Sequence, residues 1–512
     1  MKVLDAAAAR AIDRHVIDEI GLPGVVLMEH AAEAVVEVLV ERWPEAHRVV
    51  VVCGPGNNGG DGWAVARLLL GRRIDCEVVA LGAGGGDAAI QARVTRALGV
   101  VAHEVGGSAV PEEVERALLD ADVIVDALFG VGLDRPLVGL AAELVGAIVA
   151  SGRPVLAVDL PSGLDAGSAR LPEVAVWADA TVTFVAPKIA HALAPAAEAC
   201  GEVVVAELGF PAAVLDRFDI PLSITSPDDF ERALPPPARD LHKGQAGRVL
   251  VVAGSLGMSG AAVLAGRAAL RAGAGLVTLA VPEPIAPIVA TASLETMTLA
   301  LEACTRGRLA AAAIAAVLET SRRVDAVALG PGLGGGTLDA ELAATLRRMV
   351  LGNEAPMVID ADGLNAFEGR IGELADRVAP TVLTPHPGEL ARLLDATVDE
   401  VQSDRLAAVR EAAWCARSVV LLKGRQTLIG TAEGAVAITP TGGPALATAG
   451  AGDVLTGVVA ALLGAGLGAF EAARIAAYWH GLTADRLSSE RGERGVLAGD
   501  VAEALPRTRP RA

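Results

Sequence analysis

Aromatic side chains are scarce in this chain: seven Phe, five Trp and one Tyr among 512 residues. A core must therefore be assembled from Ala, Val and Leu. Cysteines number five, Cys53, Cys76, Cys200, Cys304 and Cys415. An odd count without a CxxC spacing argues against a disulfide framework and a zinc site, and fits a reducing cytosol. Basic charge is also in short supply, with 43 Lys and Arg against 62 Asp and Glu and a net charge of −19. That balance excludes a nucleic-acid surface held by phosphate contacts, so any phosphate must be bound locally by backbone N–H groups, a few lysines or a metal. No apolar run reaches the roughly eighteen residues of a membrane span. Asp5, Arg10, Asp13 and Arg14 stand where a secretory leader needs its apolar core. A soluble, cytoplasmic protein without nucleic-acid or membrane partners is expected. What is abundant is glycine, 58 residues, in a chain that is 52% hydrophobic. Such a composition suits alternating strands and helices with tight connections, and the length alone predicts about two to four domains.

The stretch VVVCGPGNNGGDGWAVARLL, Val50–Leu69, is the densest local signal. Val49–Cys53 reads as a buried strand, and Trp63, Ala64, Arg67, Leu68 and Leu70 carry helical spacing. The segment between them must turn sharply, expose bare backbone and hold Asn57, Asn58 and Asp61 at a helix start, which prepares a chain to receive an anion. A glycine-rich connection capped by Asp61 is the plainer reading. Two adjacent amides plus a carboxylate exceed what a turn requires.

Further strands are expected at Cys76–Leu81, Val123–Gly130, Val155–Leu164, Ala180–Lys188 and Glu202–Gly209, with helices at Asp87–Ala97 and Pro111–Asp120 between several of them. That alternation predicts a parallel sheet with helices on both faces. The pattern breaks from about Pro211 to Leu241, where Pro235 to Pro237 are consecutive, and a boundary near Ile220 gives domains 1–219 and 220–512. A second cycle of strand, glycine loop, helix and strand opens over Gly247–Pro282. It continues through Ala326–Gly334, Pro356–Asn365, Thr381–Glu389 and Ser418–Ile429, and closes with the helical Thr448–Gly466. The two halves share an architecture class without a visible repeat, so two α/β domains are expected and not a duplication.

Ligands of open α/β sheets bind in the crevice at the carboxyl ends of strands. In the first half three strand ends carry polar residues: Asn57, Asn58 and Asp61, then Asp126 with Gly130–Pro136, then Asp159 with Ser162. One such end could merely cap the next helix; three together favour a site. Amide, carboxylate and hydroxyl oxygens suit a hard cation, and carbonyl-type oxygens are what potassium accepts in place of water.

The segments GPGNNGGDG, VDALFGVGLDRP, VDLPSGLDA and VTFVAPK together resemble the amino-terminal domain of the NAD(P)HX epimerase family. In the second half GRVLVVAGS, GPGLG, VIDADGLN, LTPHPGE, VLLKG and GAGDVLTG resemble the ADP- or ATP-dependent NAD(P)HX dehydratases, a ribokinase-like fold. The likeness runs from about Ala6 to Leu505, and this domain order matches the bifunctional bacterial form. The resemblance implies a Rossmann-like domain followed by a ribokinase-like domain. It also implies repair of hydrated NADH and NADPH (NADHX and NADPHX), with ADP or ATP as co-substrate.

Carried over motif by motif, Asn57, Asn58, Gly59, Gly60, Asp61 and Gly130, Val131, Gly132, Leu133, Asp134, Arg135, Pro136 would hold the dinucleotide. Asn58, Asp126 and Ser162 would bind K+, and Asp159 would touch the reacting ring, where its carboxyl could trade a proton. Lys188 is either an electrostatic partner or a surface lysine lying along apolar neighbours.

In the second half Gly450, Ala451, Gly452 and Asp453 precede Val454, Leu455, Val458, Val459, Leu462 and Leu463, which trace one helical face. Backbone N–H groups at such a helix start form a hole for a transferring phosphoryl group, with Asp453 facing the acceptor hydroxyl as base. A capping aspartate is the plainer alternative. The family pattern often has Ser or Thr where this chain has Ala451; a hole made of backbone is little affected. The resemblance places Ala253, Gly332, His386 and Asp453 at the substrate. It gives Lys423, Gly424, Arg425, Gln426, Thr427 and Gly452 to the nucleotide. Without it, a histidine between two prolines would be read as packing. Mg2+ is expected mainly through the nucleotide, with Asp360, Asp362 and Glu389 as weaker candidates to organise it. A homo-oligomer, a tetramer being one form, is implied. Two rivals stand beside this reading: a ribokinase-like vitamin-precursor kinase carrying an unrelated binding domain, and a first half that is a non-catalytic binding module.

Overall fold

Val49, Val50, Val51 and Val52 have no exposed surface at all, so the strand they form must be covered on both faces. In the computed structural model, which describes residues 1–82, 84–107, 109–334 and 338–509, that strand is the third of seven in a wholly parallel sheet. The strands are β1 (Arg48–Cys53), β2 (Asp75–Leu81), β3 (Val101–Val105), β4 (Val123–Ala127), β5 (Val155–Val158), β6 (Ala180–Phe184) and β7 (Glu202–Ala206). Their order is β3-β2-β1-β4-β5-β6-β7. Val49, Val51 and Cys53 feed one apolar cluster and Val50 and Val52 the opposite one, as period-two side chains require. The chain winds outward in opposite senses from β1 and from β4, so a crevice opens where these two strands end.

The strands expected at Val49–Cys53 and Cys76–Leu81 end at Cys53 and Leu81 as read, whereas those expected to run to Gly130, Leu164, Lys188 and Gly209 end at Ala127, Val158, Phe184 and Ala206, because the residues beyond already belong to turns and loops. The edge strand β3 carries too little apolar surface to announce itself: only Val105 is buried. The segment before β1 was also silent in the reading. It forms a helix Ala6–Arg14, a π-helical turn His15–Ile20 closed by Gly21 in the left-handed region (φ 84°), and a helix Gly24–Arg42.

The helix Asn57–Gly71 starts packed against the backbone at Gly54. A Cβ on Gly59 would lie 1.8 Å from the Gly54 carbonyl oxygen, which is main chain and cannot swing aside. Gly59→Ala is therefore expected to destabilise the first unit by about 3 kcal/mol through overpacking, read as a lower thermal midpoint for that unit alone.

By contact the chain divides into two units, Met1–Ile220 and Pro221–Ala512. The second contains ten strands: β8 (Leu222–Ile224), β9 (Arg248–Val252), β10 (Leu276–Pro282), β11 (Met297–Leu301), β12 (Ala326–Leu329), β13 (Met357–Ile359), β14 (Thr381–Leu383), β15 (Val419–Leu422), β16 (Leu428–Gly430) and β17 (Val436–Ile438). Their order is β11-β10-β9-β12-β13-β14-β15-β16-β17-β8, antiparallel only at β15–β16 and β16–β17. Ser418–Ile429 is thus not one strand. It is interrupted by a turn over Lys423–Thr427, in which Gly424 (φ 138°) and Gln426 (φ 52°) leave the extended region. The proline-rich stretch conceals β8, which adds to the edge at β17.

The helix Ala451–Gly464 is apolar on one face in the sequence reading but buried nearly all round in the structure, including Thr456, Ala460 and Ala461. The sheet lies on one side of it, and the helices Ser259–Arg271, Ala469–Arg491 and Ala498–Thr508 enclose the rest.

Candidate functional site

At the crevice of the first sheet lies a cavity of about 510 Å³. Asn57, Asn58 and Asp61 from the start of the helix after β1 line it, with Gly130, Val131, Gly132 and Leu133 after β4 and Asp159 after β5. Gly59 and Gly60 are not part of this lining; a Cβ on Gly59 would meet the Gly54 backbone and one on Gly60 would meet Met28 and Ala88. Asp134, Arg135 and Pro136 are exposed and lie outside the lining. The opposite wall comes from the unanticipated amino-terminal segment, through Leu4, Ala9, Arg10, Ile12, Asp13 and Ile17.

Asp159 sits at φ 63° and Val185, another lining residue, at φ 71°. Left-handed backbone is tolerable for Asp but costly for a β-branched residue, and such strain gathers at functional sites. The Asp159 carboxylate is 8% exposed. Its Oδ1 accepts from Lys188 Nζ (2.6 Å) and Thr183 Oγ1 (3.1 Å), and its Oδ2 from the Val131 N–H (3.2 Å). Lys188 is only 3% exposed, which settles its two readings in favour of the ion pair. Burial alone would raise Asp159, but the Lys188 charge and hydrogen bond outweigh it and hold the carboxyl below its ordinary value. Asp61 goes the other way: burial, then the charges of Asp159 and Asp13, push it well above the usual range. Two carboxyls of one cavity are thus driven toward opposite protonation states.

Behind them Asp126, wholly buried, accepts from the Ser162 backbone N–H (2.7 Å), the Ser162 hydroxyl (2.6 Å) and the Leu128 N–H (3.3 Å). Among the described residues it has no basic partner, and burial pushes it up to about 6. The side-chain nitrogen of Asn58 is buried without a partner. Half a turn of that amide would put its oxygen in the same place. An uncompensated buried carboxyl, a hydroxyl and an amide oxygen fit a cation. Potassium is accepted by oxygens of this kind.

In the second unit the carboxyl ends of β13 and β15 meet the start of the helix Ala451–Gly464. Gly450, at φ 89°, caps that helix from the left-handed region, and among the described residues no side-chain cap bonds its first turn. Asp360, 2% exposed, accepts from Lys423 Nζ (2.6 Å) on Oδ1 and from Thr456 Oγ1 (2.7 Å) on Oδ2. A Cβ on Gly452 would lie 3.3 Å from Lys423 Nζ, so the glycine lets the ammonium stand over the helix start. Burial opposes the lysine's charge, but Asp360, Glu389 and Asp453 raise it above its ordinary value. Asp453 is pushed up to about 6 by burial and by the Asp360 charge.

Arg405 holds the Lys423–Thr427 turn from below, donating to the carbonyls of Leu422, Lys423 and Arg425. Ala253 is fully buried at the end of β9, and the Gly332 carbonyl accepts from Ser255 (2.8 Å). His386 caps the helix Pro387–Leu394, its Nδ1 accepting the Gly388 N–H (3.0 Å) while about half of its side chain remains exposed. Thr183, His191, Arg405 and Thr456 escaped the sequence reading. Thr183, Arg405 and Thr456 act by contacts with residues distant in the chain, whereas His191 bonds the Lys188 N–H three residues before it, a short capping pattern at the start of the helix Ile189–Ala192.

Comparison with known proteins agrees with this division. The model of the NAD(P)H-hydrate dehydratase family matches residues 249–507, and that of the YjeF-related protein N-terminus residues 24–190. The bifunctional NAD(P)H-hydrate repair enzyme Nnr of Moorella thermoacetica is 39% identical over 99% of this chain and 96% of its own length. That of Escherichia coli is 34% identical over 97% of this chain and 91% of its own. A crystal structure of the ADP/ATP-dependent NAD(P)H-hydrate dehydratase from Bacillus subtilis, obtained with ATP and Mg2+, is 30% identical. It covers 56% of this chain and 97% of that one, with a TM-score of 0.48. With a family model on each half and relatives matched along almost the whole chain, the protein belongs to the family of bifunctional NAD(P)H-hydrate repair enzymes.

Proposed function

We propose that this chain repairs hydrated nicotinamide nucleotides at two sites, epimerising NADHX and NADPHX in residues 1–219 and dehydrating one epimer in residues 220–512 at the expense of ADP or ATP. The observation that carries the reading is the pair of buried, lysine-linked carboxylates, Asp159 with Lys188 and Asp360 with Lys423, each at the carboxyl ends of its own sheet. This favours a catalytic first half over a binding module, because a scaffold has no use for a desolvated ion pair facing a cavity. A cytoplasmic homo-oligomer belongs to the same reading through family membership.

In the first site the cavity takes the hydrated ring, and inversion requires the ring hydroxyl to leave and return. The hydroxyl takes up a proton from solvent and leaves as water, and a water then adds to the opposite face as Asp159, kept ionised by Lys188, accepts its proton at Oδ2, the oxygen not bonded to the ammonium. Asn58, Asp126 and Ser162 would hold K+, which would supply positive charge near a diphosphate. Replacing potassium by sodium in the buffer is expected to slow epimer interconversion and to leave dehydration unchanged.

In the second site Asp453 takes the proton of the substrate hydroxyl as that oxygen bonds to the terminal phosphorus of the nucleotide. The bond to the bridging oxygen breaks, and the departing nucleotide keeps that electron pair. The uncapped N–H groups at Gly450–Asp453 and the ammonium of Lys423 face the charge that develops. Phosphate then departs with the former hydroxyl oxygen and the bonding electron pair, the adjacent ring carbon releases a proton to solvent, and the electrons of that C–H bond form the ring double bond that restores the dihydronicotinamide. Mg2+, bound chiefly by the nucleotide, would offset phosphate charge. Because Asp453 must be ionised to act and its carboxyl is raised to about 6, dehydration is expected to fall as pH drops through about 6. Its acid limb would lie well above that of an ordinary aspartate.

The deciding experiment follows reduced nicotinamide absorbance from an epimeric mixture of hydrated NADH with nucleotide, Mg2+ and K+. Full recovery supports both activities. Nucleotide consumed on a vitamin alcohol, with no recovery, would favour the kinase reading.

A further inference from the structure

Three features converge on the main chain that carries Lys188. Leu4 bridges to it from the far amino terminus: its N–H donates to the Pro187 carbonyl (2.8 Å), and its own carbonyl accepts the Ile189 N–H (3.2 Å). The Lys188 N–H lies between those two bonds and donates to Nδ1 of His191 (2.9 Å). Lys188 Nζ in turn meets Asp159 Oδ1, Thr183 Oγ1 (2.7 Å) and the Phe184 carbonyl (3.2 Å).

An imidazole nitrogen that accepts a hydrogen bond carries no proton, so the proton of neutral His191 sits on Nε2. That nitrogen is buried and makes no hydrogen bond within ordinary limits, and the ring stands against the main-chain carbonyl of Asp159. His191 therefore touches the backbone of both members of the ion pair. It is not itself the proton carrier: it is 8% exposed, and burial together with the Lys188 charge lowers it to about 3, so it remains neutral at any working pH.

We infer that His191 is a positioning residue of the first site, its Nδ1 fixing the main chain of Lys188 so that Nζ reaches Oδ1 of Asp159. The inference rests on the reading of Asp159 as the reactive carboxylate. His191 itself is not among the residues that line the cavity, so its loss is expected to act on the rate of the bound complex and not on binding. A displaced ammonium near a reacting centre costs rate steeply with distance.

Interconversion of the two NADHX epimers, followed by chromatography without nucleotide so that dehydration is idle, separates the possibilities. Asn at this position places its side-chain oxygen where Nδ1 stood and can accept the Lys188 N–H. Gln, one methylene longer, places its amide near the Nε2 position and leaves that N–H unpaired. H191Q is expected to lose about tenfold or more in kcat with KM within about twofold, whereas H191N keeps at least about half of the parent kcat. Dehydration by both variants stays at the parent level. Should H191Q lose the melting transition of the first unit, H191A supplies the same comparison with H191N. Equal losses in the Asn and Gln variants, a loss confined to KM, or an unimpaired H191Q would each overturn the inference. D159A separates this failure from a wider one: parent-level epimerisation in D159A removes the reading of the whole site. An inactive D159A beside an unimpaired H191Q removes only the role of His191.

Discussion

Asp453→Asn is expected to lower dehydration by about 10³-fold while epimer interconversion continues at the parent rate, both measured on the same preparation. Asn keeps the size and polarity of the side chain at the start of the helix Ala451–Gly464 but cannot accept a proton. The anion hole, made of backbone, survives the change, as do the Lys423–Asp360 and Asp360–Thr456 bonds. The loss should therefore fall on kcat, with the KM for nucleotide little altered. The acid limb near pH 6 should vanish from whatever residual rate remains, since the group producing it is gone. A variant that loses less than about tenfold would make Asp453 a capping residue and move the base elsewhere.

Lys188→Met should produce the second large effect, on activity and stability together. The substitution strands a carboxylate that is 8% exposed, leaving it the Thr183 hydroxyl and the Val131 N–H. Removing one partner of a buried pair costs about 3–5 kcal/mol. In the parent the depressed Asp159 contributes stability above the unfolded carboxylate range, and that contribution is lost as pH falls through its folded value. In the variant the carboxyl is raised instead and takes up a proton, so the stability gap is widest at neutral pH and narrows in acid. Epimerisation should fall by about 10²-fold or more, because a protonated Asp159 cannot accept. Dehydration should be unaffected. Equal thermal midpoints for parent and variant at neutral pH would show that the pair holds no net energy.

Much of the fold was legible because the central strands are short apolar runs between glycine punctuation; Val49–Cys53 could hardly be anything but a strand buried on both faces. The edges were not. β3 buries only Val105, β8 hides among prolines, and the turn between β15 and β16 is bonded by an arginine about twenty residues upstream that no local pattern connects to it. The strand-end rule drew attention to Asn58, Asp126, Asp159 and Ser162, since polar residues closing apolar strands are conspicuous against a hydrophobic sequence. It could not distinguish glycines that line the cavity from Gly59 and Gly60, which stand outside its lining at close packing contacts.

By itself the sequence determined the alternation of strand and helix, the acidic net charge, and the residue types at the strand ends, because these depend on composition and short-range periodicity. Only the tertiary structure decided that Lys188 is an ion-pair partner and not a surface lysine, that Asp61 and Asp159 titrate in opposite directions, and that Leu4 and His191 reach the same stretch of main chain. The physical reason is common to all of them. Charge state is set by burial and by neighbours brought together across the chain, and a sequence read in one dimension contains neither distance nor dielectric.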